Sequence, residues 1–171
     1  MVTILITFAC SLALPQQSAD PWQRLRFLAG DWKGTSEGRP GAGTVTRSYE
    51  FIMNGRFLHE RNVSTYAPQE KNPKGEVHEH RSLFSYDRAR RTIVLRQFHA
   101  EGFVNQYALA PPSGDGTLLF ESEAFENLPA GWRARERYEV PSQDEFVEIF
   151  ELAAPGKDFE VYSRNRLQRA R

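Results

Sequence analysis

The chain carries one cysteine, Cys10, in 171 residues. A lone thiol excludes an internal disulfide framework and any cysteine-rich metal cluster. Net charge is missing too, since 22 Lys and Arg residues balance 22 Asp and Glu residues. No overall field draws such a chain to nucleic acid or to an anionic membrane. After residue 20 no apolar run is long enough to cross a bilayer as a helix, so neither nucleic acid nor a membrane span is expected. Catalytic motifs are also absent. No Gly-x-Ser-x-Gly elbow occurs, and Ser48, Ser64, Ser82, Ser85 and Ser163 lie in strand-like runs without local activation. The glycines of Gly38–Gly43 separate two strand-like runs and precede no helix, so they read as a hairpin loop and not as a phosphate cradle.

What is present is the pattern of an all-β domain. From Trp22 onward, short runs rich in Val, Ile, Phe, Tyr and Thr alternate with turn-forming clusters. Ten strands are predicted, at Asp31–Ser36, Thr44–Met53, Arg56–Tyr66, Val77–Tyr86, Thr92–His99, Phe103–Leu109, Thr117–Ala124, Trp132–Val140, Glu145–Leu152 and Phe159–Leu167. Asn54-Gly55 is the best hairpin signal, because both residues tolerate the positive φ of a type I′ turn. Most connections are short, which favours antiparallel pairing of neighbours. Ahead of the strands, Pro21–Leu28 has helical character with Asp20 as its cap, and Trp22, Leu25, Phe27 and Leu28 could plug one end of a barrel.

A short helix, then Phe27-Leu28-Ala29-Gly30-Asp31-Trp32-Lys33-Gly34, then uninterrupted hairpins resembles the calycin superfamily. Ten strands resemble its fatty-acid-binding or nitrobindin-like branch more than the eight-stranded lipocalins. The resemblance implies a single antiparallel up-and-down barrel in which Trp32 meets a basic residue of the last strand, Arg164 or Arg166. In nitrobindin-like proteins a histidine late in the barrel holds haem iron, and here no histidine follows His99. The stretch Arg96–Tyr107 is also similar to a family of small bacterial proteins without assigned activity.

Residues 1–19 differ from the remainder. Met1–Leu14 is apolar or small without a charge, and a polar segment ending at Ala19 follows. This resembles a secretory signal, although no Lys or Arg precedes the apolar stretch. The expectation is a signal peptide over 1–19, a barrel domain over 20–171, and a secreted or periplasmic protein. Thr7-Phe8-Ala9 before Cys10 is a poor lipobox, and cleavage after Ala19 removes the thiol.

Strand parity does not sort residues into dry and wet faces. Thr92–His99 and Arg56–Tyr66 carry polar groups on both faces, which suits a barrel with a partly polar lumen. The candidate lumen residues are His80, His99, Glu101 and Glu136, with Trp132 and Tyr138 and the nearby Phe84, Phe98 and Phe103. Glu136 shares parity with Trp132 and Tyr138, while Arg133, Arg135 and Arg137 form an outer ladder. His78 and His80 share a face and could bind a transition metal with His59, His99 or Glu101, but no glutamate follows at cupin spacing. The histidines are read as satisfied in a polar cavity or on the outer wall, and neither metal nor cofactor is assigned. The expected function is non-catalytic binding of a small, partly apolar molecule. Two alternatives stand beside it: an isomerase or lyase using a His/Glu acid–base pair, and a filled barrel that binds a partner protein.

Overall fold

The computed structural model describes residues 20–70 and 72–171, so the expected signal peptide and Cys10 lie outside the described residues. The ten strands are β1 (Gly30–Gly38), β2 (Gly43–Ile52), β3 (Phe57–Tyr66), β4 (Glu76–Asp87), β5 (Thr92–His99), β6 (Val104–Leu109), β7 (Leu118–Glu126), β8 (Arg133–Ser142), β9 (Glu145–Ala153) and β10 (Glu160–Arg169). Each pairs antiparallel with its sequence neighbour, and β1 closes the barrel against β10. Every edge is thereby paired. No helix among the described residues is long and apolar enough to cross a membrane.

Three local expectations are corrected. Pro21–Leu28 forms no α-helical plug: turns lead into a three-residue 3-10 helix, Arg26–Leu28. Eight residues are too few for an isolated α-helix to hold against its nucleation cost. The segment nevertheless buries Trp22, Leu25 and Leu28 in the core, and Arg24 donates to the carbonyls of Ala110 and Thr117. The turn at Asn54-Gly55 is in place but is not a two-residue type I′ turn. Met53, Asn54 and Gly55 all have positive φ in a four-residue loop closed by Arg56 N–H donating to the Ile52 carbonyl. The third correction concerns closure.

Trp32 is buried, and its Nε1–H donates to the Leu28 carbonyl at 2.7 Å. Its basic partner is Arg169, whose Cζ lies 4.4 Å from the ring centroid. Arg164 and Arg166 are not involved. The register sets Trp32 opposite Arg169, whereas Arg164 and Arg166 have outward parity and oppose Glu37 and Thr35. Arg169 also donates to the carbonyls of Phe27, Ala29 and Gln143, tying β10 to the segment that precedes β1. At Gly34 the two closing strands approach so closely that a Cβ would stand 1.8 Å from the Arg166 carbonyl oxygen.

Inward residues change character along the barrel axis. At the end carrying Trp22 and Leu28 the lumen is filled by Trp32, Tyr49, Phe84, Phe120, Tyr138 and Phe146, with aromatic centroids 4.8–6.5 Å apart. One inward position further along β2, β4, β8 and β9 stand Arg47, Ser82, Glu136 and Glu148, joined by Glu60 of β3 and Gln97 of β5, all buried. Outside, Arg135 pairs with Glu121 at 3.2 Å and Arg137 with Glu151 at 3.6 Å.

Candidate functional site

Above the apolar half lies a cavity of about 440 Å³, within the range usual for small-molecule sites. His80, His99, Glu101, Trp132 and Glu136 all line it. Tyr138 does not. It is two residues along the same face from Glu136 toward the apolar end, fully buried, with its hydroxyl 3.4 Å from Glu136 Oε2. Phe84 also belongs to the apolar half, Phe103 lines the cavity, and Phe98 is 44% exposed on the outer wall. His59 faces outward and meets Glu50.

The floor is a polar cluster of carboxyls gathered around Arg47, the member that sequence reading missed. Arg47, inward on β2, holds Glu148 on β9 with both terminal nitrogens: Nη1 donates to Oε1 at 2.7 Å and Nη2 donates to Oε2. Its Nε donates to Asn62 Oδ1 at 2.9 Å and lies 3.4 Å from Glu60 Oε1. Asn165 Nδ2 donates to Glu148 at 2.6 Å, and Gln97 Nε2 donates to Glu136 Oε1 at 2.9 Å. The available signal was parity, since Arg47 alternates with Val45, Tyr49 and Phe51, and Glu148 with Phe146, Phe150 and Leu152. A charge at an inward position between aromatics must be paired to be tolerated.

Two of these carboxyls take opposite states. Burial pushes Glu136 well above the usual carboxylate range, and the charge of Glu148 adds to the effect. Burial also acts on Glu148, but the Arg47 guanidinium outweighs it and holds that carboxyl below its ordinary value. Glu60, likewise buried, is brought down to about 2 by Arg47 and then His80. Burial, reinforced by His80 and His78, lowers His99 to about 3. The floor thus sets Arg47 and two carboxyls held low, Glu60 and Glu148, beside one held high, Glu136, while His99 at the mouth is neutral at neutral pH. A protonated carboxyl beside an ionised one can donate a hydrogen bond to a ligand or carry a proton.

The mouth is apolar and aromatic. Phe103, Phe125, Leu128, Trp132, Phe150 and Tyr162 line it. His99 stacks on Phe103 with centroids 4.0 Å apart and an interplanar angle of 18°. His78 reaches the mouth from β4, with Nδ1 2.7 Å from Glu101 Oε1.

No family model matches the chain, and no curated protein matches its sequence. The crystal structure of Rv2717c from M. tuberculosis is similar to it with a TM-score of 0.66, covering 90% of this chain and 99% of that one. The two share a barrel fold. At 17% identity the likeness to Rv2717c extends to the fold alone, so the cavity has to be understood from its own lining.

Proposed function

We propose that the barrel binds a small, partly apolar molecule whose polar end is neutral or basic, without catalysing its conversion. The observation that carries this reading is the charge of the lining. The cavity has one guanidinium against the carboxyl groups of Glu76, Glu101, Glu136 and Glu148, and that guanidinium is already held by Glu148 through both terminal nitrogens. A ligand carboxylate would enter a chamber of like charge with no free cation. An amide, hydroxyl or amine can instead meet Glu136, Gln97, Asn62 and Asn105, while its apolar part rests on Trp132, Phe103 and Phe150.

The Trp32–Arg169 stack and the ten-strand closure support placing the barrel in the calycin superfamily, in its fatty-acid-binding or nitrobindin-like branch. Haem held by a late histidine does not fit this chain: β8–β10 contribute Glu136, Glu148, Phe150, Leu152, Tyr162, Ser163 and Asn165 to the cavity wall, and no imidazole. The unlike states of Glu136 and Glu148 favour a second reading, an acid–base isomerase or lyase in the same chamber. The apolar run Met1–Leu14, followed by a polar segment that ends in a small residue at Ala19, supports export.

Native mass spectrometry of freshly purified protein tests the proposal. The expected result is a co-purified small molecule that is lost when Asn105→Trp fills the chamber. A wild-type protein without a bound mass, and unresponsive to neutral and basic amphiphiles, would speak against it. A bound molecule that returns chemically altered would favour the enzyme.

A further inference from the structure

One group of side chains at the cavity mouth is left unused by this reading. One nitrogen from each of His78, His80 and His99 lies within 4.8 Å of the others, and His78 Nε2 is 3.4 Å from His99 Nδ1. Two imidazoles bound to one tetrahedral zinc ion at about 2.0–2.1 Å place their nitrogens roughly 3.3–3.4 Å apart. Three rings converge because the β4–β5 register sets His80 directly opposite His99, and His78 is two residues from His80 on the same face. His80 is only 8% exposed, yet neither ring nitrogen has a hydrogen-bond partner. A buried polar ring left in that state is destabilising, so its retention needs an explanation.

We propose that His78, His80 and His99 form a binding site for a divalent transition metal ion of the zinc type, with its open coordination position facing the cavity. The surroundings match what such a site requires. A metal-bound histidine usually gives its other N–H to a carboxylate or amide, which fixes the ring. His78 Nδ1 meets Glu101 at 2.7 Å, His80 Nε2 lies 3.5 Å from Glu60 Oε1, and His99 Nε2 lies 3.2 Å from the Asn105 amide. His78 and His99 therefore each have an outer partner and one nitrogen left for the ion, and His80 keeps Nδ1 free with Nε2 facing Glu60. Asn105 Oδ1 has no partner, and turning the amide presents it to His99 Nε2–H and to the Tyr107 hydroxyl. Phe103 stacked on His99 holds that ring in place. The carboxyl excess of the cavity also favours a bound cation. The spacing His-x-His alone carried too little to decide this, because the third ligand comes from the next strand. The site goes beyond the small-molecule proposal and does not depend on it.

The test uses the full chain, purified without a histidine tag, stripped with chelator and titrated with Zn²⁺ or Co²⁺ alone by calorimetry. Cobalt is also followed by visible absorption. The expected result is one ion per chain with the intense absorption of tetrahedral cobalt. His99→Ala should weaken binding by at least about 100-fold and Glu101→Gln by about 10–100-fold, while His59→Ala leaves it unchanged. Glu101 is exposed, so Glu101→Gln reports on the site even where a histidine variant folds poorly. Failure of equimolar metal to bind, octahedral-type cobalt absorption, or equal affinity in wild type, His99→Ala and Glu101→Gln would overturn the site.

Discussion

The two halves of the lumen are built from the same ten strands and both are buried, yet they solve burial in opposite ways. The half around Trp32, Phe84 and Phe146 is stabilised by area: aromatic rings fill it and few polar atoms need partners. The half around Arg47, Glu60 and Glu148 excludes water almost as well but holds ionised groups, which have to be satisfied by one another. Burial alone does not distinguish a structural core from a binding chamber. What distinguishes them is whether the buried groups could be replaced by hydrocarbon without loss of function.

Removing one member from each half breaks this comparison most sharply. Trp32→Ala should cost about 3–5 kcal/mol by urea denaturation, from the lost aromatic body, with the Arg169 stack adding to it. A variant of unchanged stability would mean that the apolar half does not hold the barrel together. Arg47→Met should cost a similar amount, about 3–5 kcal/mol, for a different reason: it leaves Glu60 and Glu148 buried without their cation. The difference appears on rescue. Adding Glu60→Gln and Glu148→Gln to Arg47→Met should restore most of the stability, whereas no polar replacement elsewhere rescues Trp32→Ala. A triple variant less stable than Arg47→Met would show that the cluster is not governed by charge pairing.

The pH dependence separates the halves by a smaller margin. Glu60 has its carboxyl lowered from 4.5 to about 2 in the folded chain, so its contribution is fully present above pH 4.5 and is lost as pH falls toward about 2. That contribution is about 3 kcal/mol. Glu136 has the opposite sign. Its folded pKa is raised, so its contribution is present below the unfolded value and is lost as pH rises through the folded one. Urea melts should therefore show Glu136→Gln gaining on wild type as pH goes from 4 to 8, and Glu60→Gln losing less than wild type below pH 4.5. Parallel curves for all three proteins would sink the assigned charge states.

The fold was legible because strand chemistry is local: apolar residues alternate along each run, and Gly, Asn and Pro mark the ends. Pro141 illustrates the boundary, since it lacks an N–H and sits in β8 where the ladder to β9 slips between Glu139 and Ser142. Cross-strand register is not local, and the errors follow from that. Trp32 needed an arginine from the last strand, but the predicted end at Leu167 left out Arg169, which the register sets opposite it. Of the nine residues expected around the lumen six line the cavity; Phe84 and Tyr138 fall one layer below because parity fixes a face and not a depth, and Phe98 lies on the outer wall. Arg47 and Glu148 are 101 residues apart, and only closure through β1 and β10 makes them neighbours.

The central claim is that the polar half of the lumen takes a neutral or basic head group and the aromatic mouth takes an apolar body. Its most direct measurement is calorimetric titration of chelator-treated protein with three amphiphiles of one chain length: decanol, decylamine and decanoate. The account predicts that decanol or decylamine binds at least about 10-fold more tightly than decanoate, a difference of about 1.4 kcal/mol. Tightest binding by decanoate would contradict it, because a chamber whose single guanidinium is already engaged by Glu148 would then be acting as a carboxylate receptor.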